Sequence, residues 1–107
     1  ACKAVSGFAL SFPVVRPTAA YLRAEEHALT GHPRAAARAY RAAMSGAARL
    51  GLPRLEARAA LRLSQLVRHA GGARTQLLER ARILFMPLDD RHSLEEVREL
   101  LGTAARR

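Results

Sequence analysis

The residues of this chain best placed to act on another molecule are arginines. Arg34, Arg38 and Arg41 follow an i, i+4, i+7 spacing, and Arg54, Arg58 and Arg62 follow i, i+4, i+8. On helices each set forms a stripe along one face, opposite the apolar one. A guanidinium is permanently charged and binds carboxylates and phosphates through a planar fork. If the two stripes merge on adjacent antiparallel helices, the six side chains make one patch for phosphates, acidic peptides or an anionic membrane surface. The plainer account is a solvated arginine face. Seventeen arginines stand against a single lysine, in a chain rich in Ala, Gly and Leu. A GC-rich coding sequence raises all of these together.

Charge placement says more than the net +9. From Gly31 to Thr75 there are nine arginines and one acid, Glu56, whereas from Glu79 to Glu99 six acids face four arginines. The basic charge belongs to the middle of the chain. An acidic protein partner or neighbouring domain suits it. Nucleic acid is the alternative, ranked behind because no base-stacking aromatics interleave with the arginines and no helix-turn-helix signature is present.

Other chemistry finds little support. His27, His32, His69 and His92 do not pair at metal-ligand spacing, and Cys2 is the only cysteine, so neither a disulfide nor a cysteine-based metal cluster is expected. Asp89, Asp90 and His92 form a compact polar cluster that could be read as an acid/base or magnesium site. Acids before a helix, favoured by its dipole, explain it more simply. No phosphate-binding glycine loop, nucleophile elbow or HExxH motif occurs. We therefore expect no catalytic residues, no metal and no cofactor.

The elements that must position the arginines are helices. Gly31, Gly51 and Gly71-Gly72 recur every twenty residues, and Pro33 and Pro53 follow the first two. Glycine past a helix end accepts the left-handed cap, and proline in a first turn loses no useful N–H. Stop, turn and restart at constant pitch predict stacked antiparallel helices. The first runs from Thr18, as N-cap, to about Thr30. The second runs from Pro33 to Leu50, with an inner stripe of Ala36, Tyr40, Ala43, Ala47 and Leu50. The third spans Pro53 to about Ala70, with Leu55, Ala59, Leu63 and Leu66 in line. The fourth spans about Ala73 to Met86, with Leu77, Ala81 and Leu84 inward and Pro87 stopping it. The fifth starts at Ser93, where Ser93 and Glu96 suggest a capping box, and ends at Gly102.

Residues 1–17 read differently. Gly7, Pro13 and Pro17 break any helix, and Phe8, Leu10, Phe12 and Val14 alternate as in an extended segment. A secretory signal is disfavoured by the minimal charge, by Gly7 and Pro13, and by the lack of a cleavage site. No apolar run approaches the ~20 residues of a membrane span. With one cysteine, a reducing, cytoplasmic setting is the simpler expectation. The chain starts without Met, which suggests a segment of something longer. The domains are thus 1–17 extended or irregular, 18–102 helical, and 103–107 a frayed tail. Half the residues are apolar, but 23 are alanine and five are aromatic. The core should be thin, and open end faces would favour self-association.

The pattern resembles the tetratricopeptide-repeat superfamily, in which small residues let two helices approach and an aromatic fills the groove between them. Ala24 and His27 fit the first helix of such a pair, and Ala36, Tyr40 and Ala43 the second. Ala60, Leu61 and Ser64, then Leu77, Leu78, Ala81 and Phe85, fit the next pair. The pitch is about 40 residues rather than 34. The stretches AARLGLPRLEARAALRLSQL and LLERARILFMPLDDRHSLEEVRELL are similar to helical repeats that follow the ATPase module in large bacterial STAND-type signalling proteins. The resemblance covers roughly residues 17–102. It implies an all-α, short solenoid of about five helices. It also implies a non-catalytic scaffold that binds a protein partner on its groove side, with Ala24, Ala36, Tyr40, Ala43, Ala81 and Phe85 setting the stack.

Overall fold

The computed structural model describes residues 15–67 and 72–105. Among them are five α-helices and no strand: α1 (Val15–Leu29), α2 (Pro33–Leu50), α3 (Pro53–Leu66), α4 (Gly72–Phe85) and α5 (Arg91–Ala105). A 3-10 turn (Met86–Leu88) joins the last two. The fold is all-α.

The first two turns are built alike. Gly31 (φ 79°) and Gly51 (φ 67°) are left-handed. At each turn two backbone bonds close the helix end. Gly31 and His32 donate to the carbonyls of Ala28 and His27 at 3.4 and 2.8 Å, and Gly51 and Leu52 donate to those of Ala48 and Ala47 at 3.4 and 2.8 Å. This paired pattern satisfies carbonyls that a helix end otherwise leaves open. His32 (φ −116°, ψ 72°) and Leu52 (φ −111°, ψ 77°) then lead into Pro33 and Pro53. Proline disfavours the helical conformation in the residue before it, so each restart is held to one place.

The structure corrects five boundaries. Helix α1 begins at Val15 rather than at Thr18. Pro17 sits in its first turn, where proline is tolerated, so Thr18 is not an N-cap. The extended reading of the first 17 residues fails for 15–17, and its remainder, 1–14, lies outside the described residues. Helix α3 ends at Leu66 rather than near Ala70. Gly72 opens α4 in an ordinary helical conformation, while Gly71 falls outside the described residues. The cap of α5 is Asp90, not Ser93. The Asp90 carboxylate accepts the Ser93 N–H at 3.1 Å and the Ser93 hydroxyl at 2.8 Å. It thereby satisfies a first-turn donor, and Ser93 becomes the third helical residue. Gly102 does not end α5, which continues to Ala105.

Each helix packs chiefly on its neighbours in sequence, with a lighter contact between α1 and α3. Two cores result. In the first, Ala24 of α1 and Ala36, Tyr40 and Ala43 of α2 meet Ala59 and Leu63 of α3. In the second, Ala57, Ala60 and Leu61 of α3 meet Leu78, Ala81 and Phe85 of α4 and Val97 of α5. Helix α3 therefore has a wide apolar face that serves both. Its buried Ser64 is satisfied by donating its hydroxyl to the Leu61 carbonyl at 2.6 Å. Glu56, on α3, accepts a hydrogen bond at 2.7 Å from Nε of Arg80 on α4, which ties the two helices at their surface.

Candidate binding surfaces

The α3 arginines line a groove shared by alternate helices. One cavity of about 350 Å³ is lined by Tyr21 and Glu25 of α1, Leu61, Arg58 and Arg62 of α3, and His92, Ser93 and Glu96 of α5. The pairs Tyr21/Glu25, Arg58/Arg62 and His92/Glu96 are each four residues apart, so each projects from one helix face. The Arg62 guanidinium donates to the Tyr21 hydroxyl. That bond raises its pKa, and the charges of Glu96 and of the tyrosines add to the effect against partial burial. Its Nη1 also reaches Gln65 Oε1 at 3.4 Å. Beyond Leu66, a second hollow of about 280 Å³ continues past Arg62 to Glu25, Leu29 and Tyr40.

Arg54 sits at the other end of the same face. With Arg58 it borders a cavity of about 440 Å³ whose walls are mainly Leu52, Pro53, Leu55 and Leu88. Both guanidiniums act on Asp90. The carboxyl pKa of Asp90 is lowered first by the Ser93 backbone bond, then by the Ser93 hydroxyl, with Arg54 and Arg58 adding smaller contributions. The groove is thus of mixed sign. Its three arginines lie among Glu25, Asp90 and Glu96, and opposite charges held close lower the net field presented to a partner.

The α2 arginines stand elsewhere. Arg34, Arg38 and Arg41 are exposed. Arg38 borders a hollow between α1 and α2 together with Arg23 and His27. Arg38 thus borders a different hollow from Arg54, Arg58 and Arg62, so it does not share one patch with them. The cause is geometric. Each row lies opposite its own helix's buried stripe, and the stripes of α2 and α3 face one another across the first core. Rows on the far sides of two facing helices point apart.

The small and aromatic residues picked out by spacing are all buried. Ala24, Ala36 and Ala43 have no exposed surface and Tyr40 is 3% exposed, while Ala81 and Phe85 are fully enclosed. Tyr40 meets Tyr21 edge to face, with ring centroids 5.5 Å apart. Burial, with the charges of Tyr21 and Glu25 helping, pushes the Tyr40 hydroxyl pKa up to about 12. His27 is half-buried and packs edge-on against His32 at 6.2 Å.

Sequence reasoning missed Tyr21, Glu25, His92 and Glu96 as groove residues. Their i, i+4 spacing was available, but nothing local says that α1, α3 and α5 share a side. The Asp89–His92 cluster divides by role. Asp90 caps α5, Asp89 takes the left-handed conformation (φ 54°) that closes the 3-10 turn, and His92 faces the groove. Among the described residues no three His, Cys, Asp or Glu side chains gather as metal ligands, and no helix is long and apolar enough to cross a membrane. No family model matches this chain, and no curated protein or solved structure does either.

Proposed function

We propose that this chain is a non-catalytic protein-binding module that holds a segment of a partner in the groove formed by α1, α3 and α5. One observation carries the reading. Three helices that are not neighbours in sequence each contribute polar side chains to one open cavity. Tyr21 also packs on the first core, but core packing does not require Arg58, Arg62, His92 and Glu96 to converge there. A concave site with a few directed polar groups on rigid elements is how a surface selects a ligand. The resemblance to tetratricopeptide arrays supports the same side as the binding side, and adds the expectation of a larger regulatory protein in which the module connects or controls other domains. Because the groove mixes guanidiniums with carboxylates, the partner segment should carry both signs, with carboxylates opposite Arg54 and Arg58.

The test is a peptide-display selection against the intact chain, counter-selected with the Arg58→Glu, Arg62→Glu double variant. Convergence on related peptides that the variant does not bind supports the groove. Failure to enrich any family, or enrichment equal on both proteins, removes it.

A second reading, nucleic-acid binding, has one observation in its favour. Helix α2 carries Arg34, Arg38, Arg41 and Arg49 and no acid. Phosphate contacts of that kind give binding that falls steeply with salt. A duplex titration at low and moderate salt decides this. Steeply salt-dependent binding that is weakened by Arg38→Glu supports it, and no binding at moderate salt excludes it.

A further inference from the structure

Opposite the groove, α1 and α2 form a second surface. Two hollows of about 290 and 320 Å³ lie between these helices and share Ala20 and Ala42. The two hollows adjoin at Ala20 and Ala42, and together they are termed the α1–α2 channel. Its floor is made of small residues: Ala20, Ala35, Ala39, Ala42 and Gly46. The helices approach closely there. A Cβ added at Gly46 would come within 3.2 Å of the Pro17 Cβ.

The rim is cationic and ordered. Arg16 and Arg49 flank one hollow, and Arg23 and Arg38 flank the other. None of the described residues lining either hollow is Asp or Glu. Helix α2 has no acid at all, and the acids of α1 are Glu25, which faces the groove, and Glu26, one turn beyond Arg23. Residues 1–14 contain no carboxylate and one lysine. The groove arginines lie among this chain's own carboxylates, whereas Glu26, at i+3 from Arg23, is the single described carboxylate of α1 and α2 on the channel side.

We infer that the α1–α2 channel is a second docking surface, and that its occupant is an acidic helix of a partner protein. Small residues on the floor admit a helix backbone closely, as in packed helix pairs. The guanidinium pairs at the two ends set the register. Arg16 and Arg23 are seven residues apart along α1, about 10 Å, and Arg38 and Arg49 are eleven apart along α2, about 16 Å. A helix with carboxylates at i, i+4, i+7 and i+11 presents both spacings on one face. Nucleic acid is disfavoured at this floor because its lining offers no aromatic ring other than His27 for a base to stack on. The inference does not depend on the groove reading, since the two surfaces share no arginine.

The probe is a labelled helical peptide of roughly five turns, with Glu at i, i+4, i+7 and i+11 and Ala and Leu between them on that face. Its comparison is a peptide of equal composition with the glutamates dispersed. Fluorescence anisotropy on the intact chain reads binding between about 50 and 200 mM salt. Arg23→Glu with Arg38→Glu should weaken the patterned peptide at least about tenfold, and Arg58→Glu with Arg62→Glu should change it less than about twofold. Ala42→Leu, at an exposed helical position, fills the floor without altering charge and should also cost about tenfold, with the melting midpoint retained. Equal binding of both peptides, an unaffected Ala42→Leu variant, or preferential binding of a labelled duplex would each overturn the assignment. Loss on the groove variant alone would overturn it and leave the groove reading standing.

Discussion

The two cores of this molecule use one plan with different filling. Around Tyr40 four of the six fully enclosed positions are alanine, and Tyr40 and Leu63 provide most of the volume. Around Phe85 the alanines share space with Leu61, Leu78 and Val97, and further leucines of α4 and α5 pack on the outside. Alanine removes little apolar area from water. The first core therefore depends on close helix approach and on one aromatic, and the second on summed hydrophobic burial, roughly 25 cal/mol per Å². The basic half of the chain is therefore the thinner half. Both proposed surfaces draw on helices of that core.

The largest expected effects break each core in turn. Phe85→Ala should destabilise by about 3–5 kcal/mol, with Tyr40→Ala in the same range and nearer its lower end, because enclosed aromatics leave cavities that the surroundings only partly fill. Urea melts of both variants measure this, and an unchanged midpoint for either would deny that its ring holds a helix pair. Met44 and Leu77 pack against both cores. The double variant should therefore depart from the sum of the singles, as coupled sites do.

Alkaline titration sharpens the contrast, since only the first core contains an ionisable ring. The raised folded pKa of Tyr40, about 12, means the unfolded chain loses this proton first as pH rises. Its stabilising effect is complete below pH 10 and is lost between about pH 10 and 12, on the order of 2 kcal/mol. Stability measured across that range should fall less for Tyr40→Phe. Absorbance at alkaline pH should show a late-ionising tyrosine that is lost in Tyr40→Phe.

Smaller effects separate the turns. Gly51→Ala should cost about 1 kcal/mol, since its left-handed φ strains a Cβ even though the space around it is open. Gly72→Ala should be neutral or slightly stabilising, because Gly72 is neither left-handed nor crowded. Equal costs at the two sites would contradict the difference between these helix boundaries. A further modest effect concerns the cap of α5. The lowered carboxyl pKa of Asp90 gives stability that is present above the ordinary carboxylate range and is lost as pH falls through the folded value. Asp90→Ala should lower the melting midpoint at neutral pH, and by progressively less as pH falls below the ordinary carboxylate range.

The helices and their two left-handed turns were legible in the sequence because their causes are local. Glycine at a helix end, proline at the restart and small or aromatic residues at three- and four-residue spacing act within a few bonds of where they stand. Gly31-x-Pro33 and Gly51-x-Pro53 therefore led to the observed turns. Local signals also misled where two residues compete for one role. Ser93 looks like a cap, but Asp90 three residues earlier carries the carboxylate that reaches forward to accept the Ser93 N–H. Gly102 looks like a stop, but it lies in open space within α5 and leaves the helix intact. The direction in which each arginine row faces was decided only by tertiary packing. Periodicity says which side of its own helix a residue occupies and nothing about where that side points. Once α2 and α3 bury their stripes against each other, Arg38 turns to the α1–α2 channel, and Arg58 and Arg62 turn to the groove with Tyr21 and Glu96.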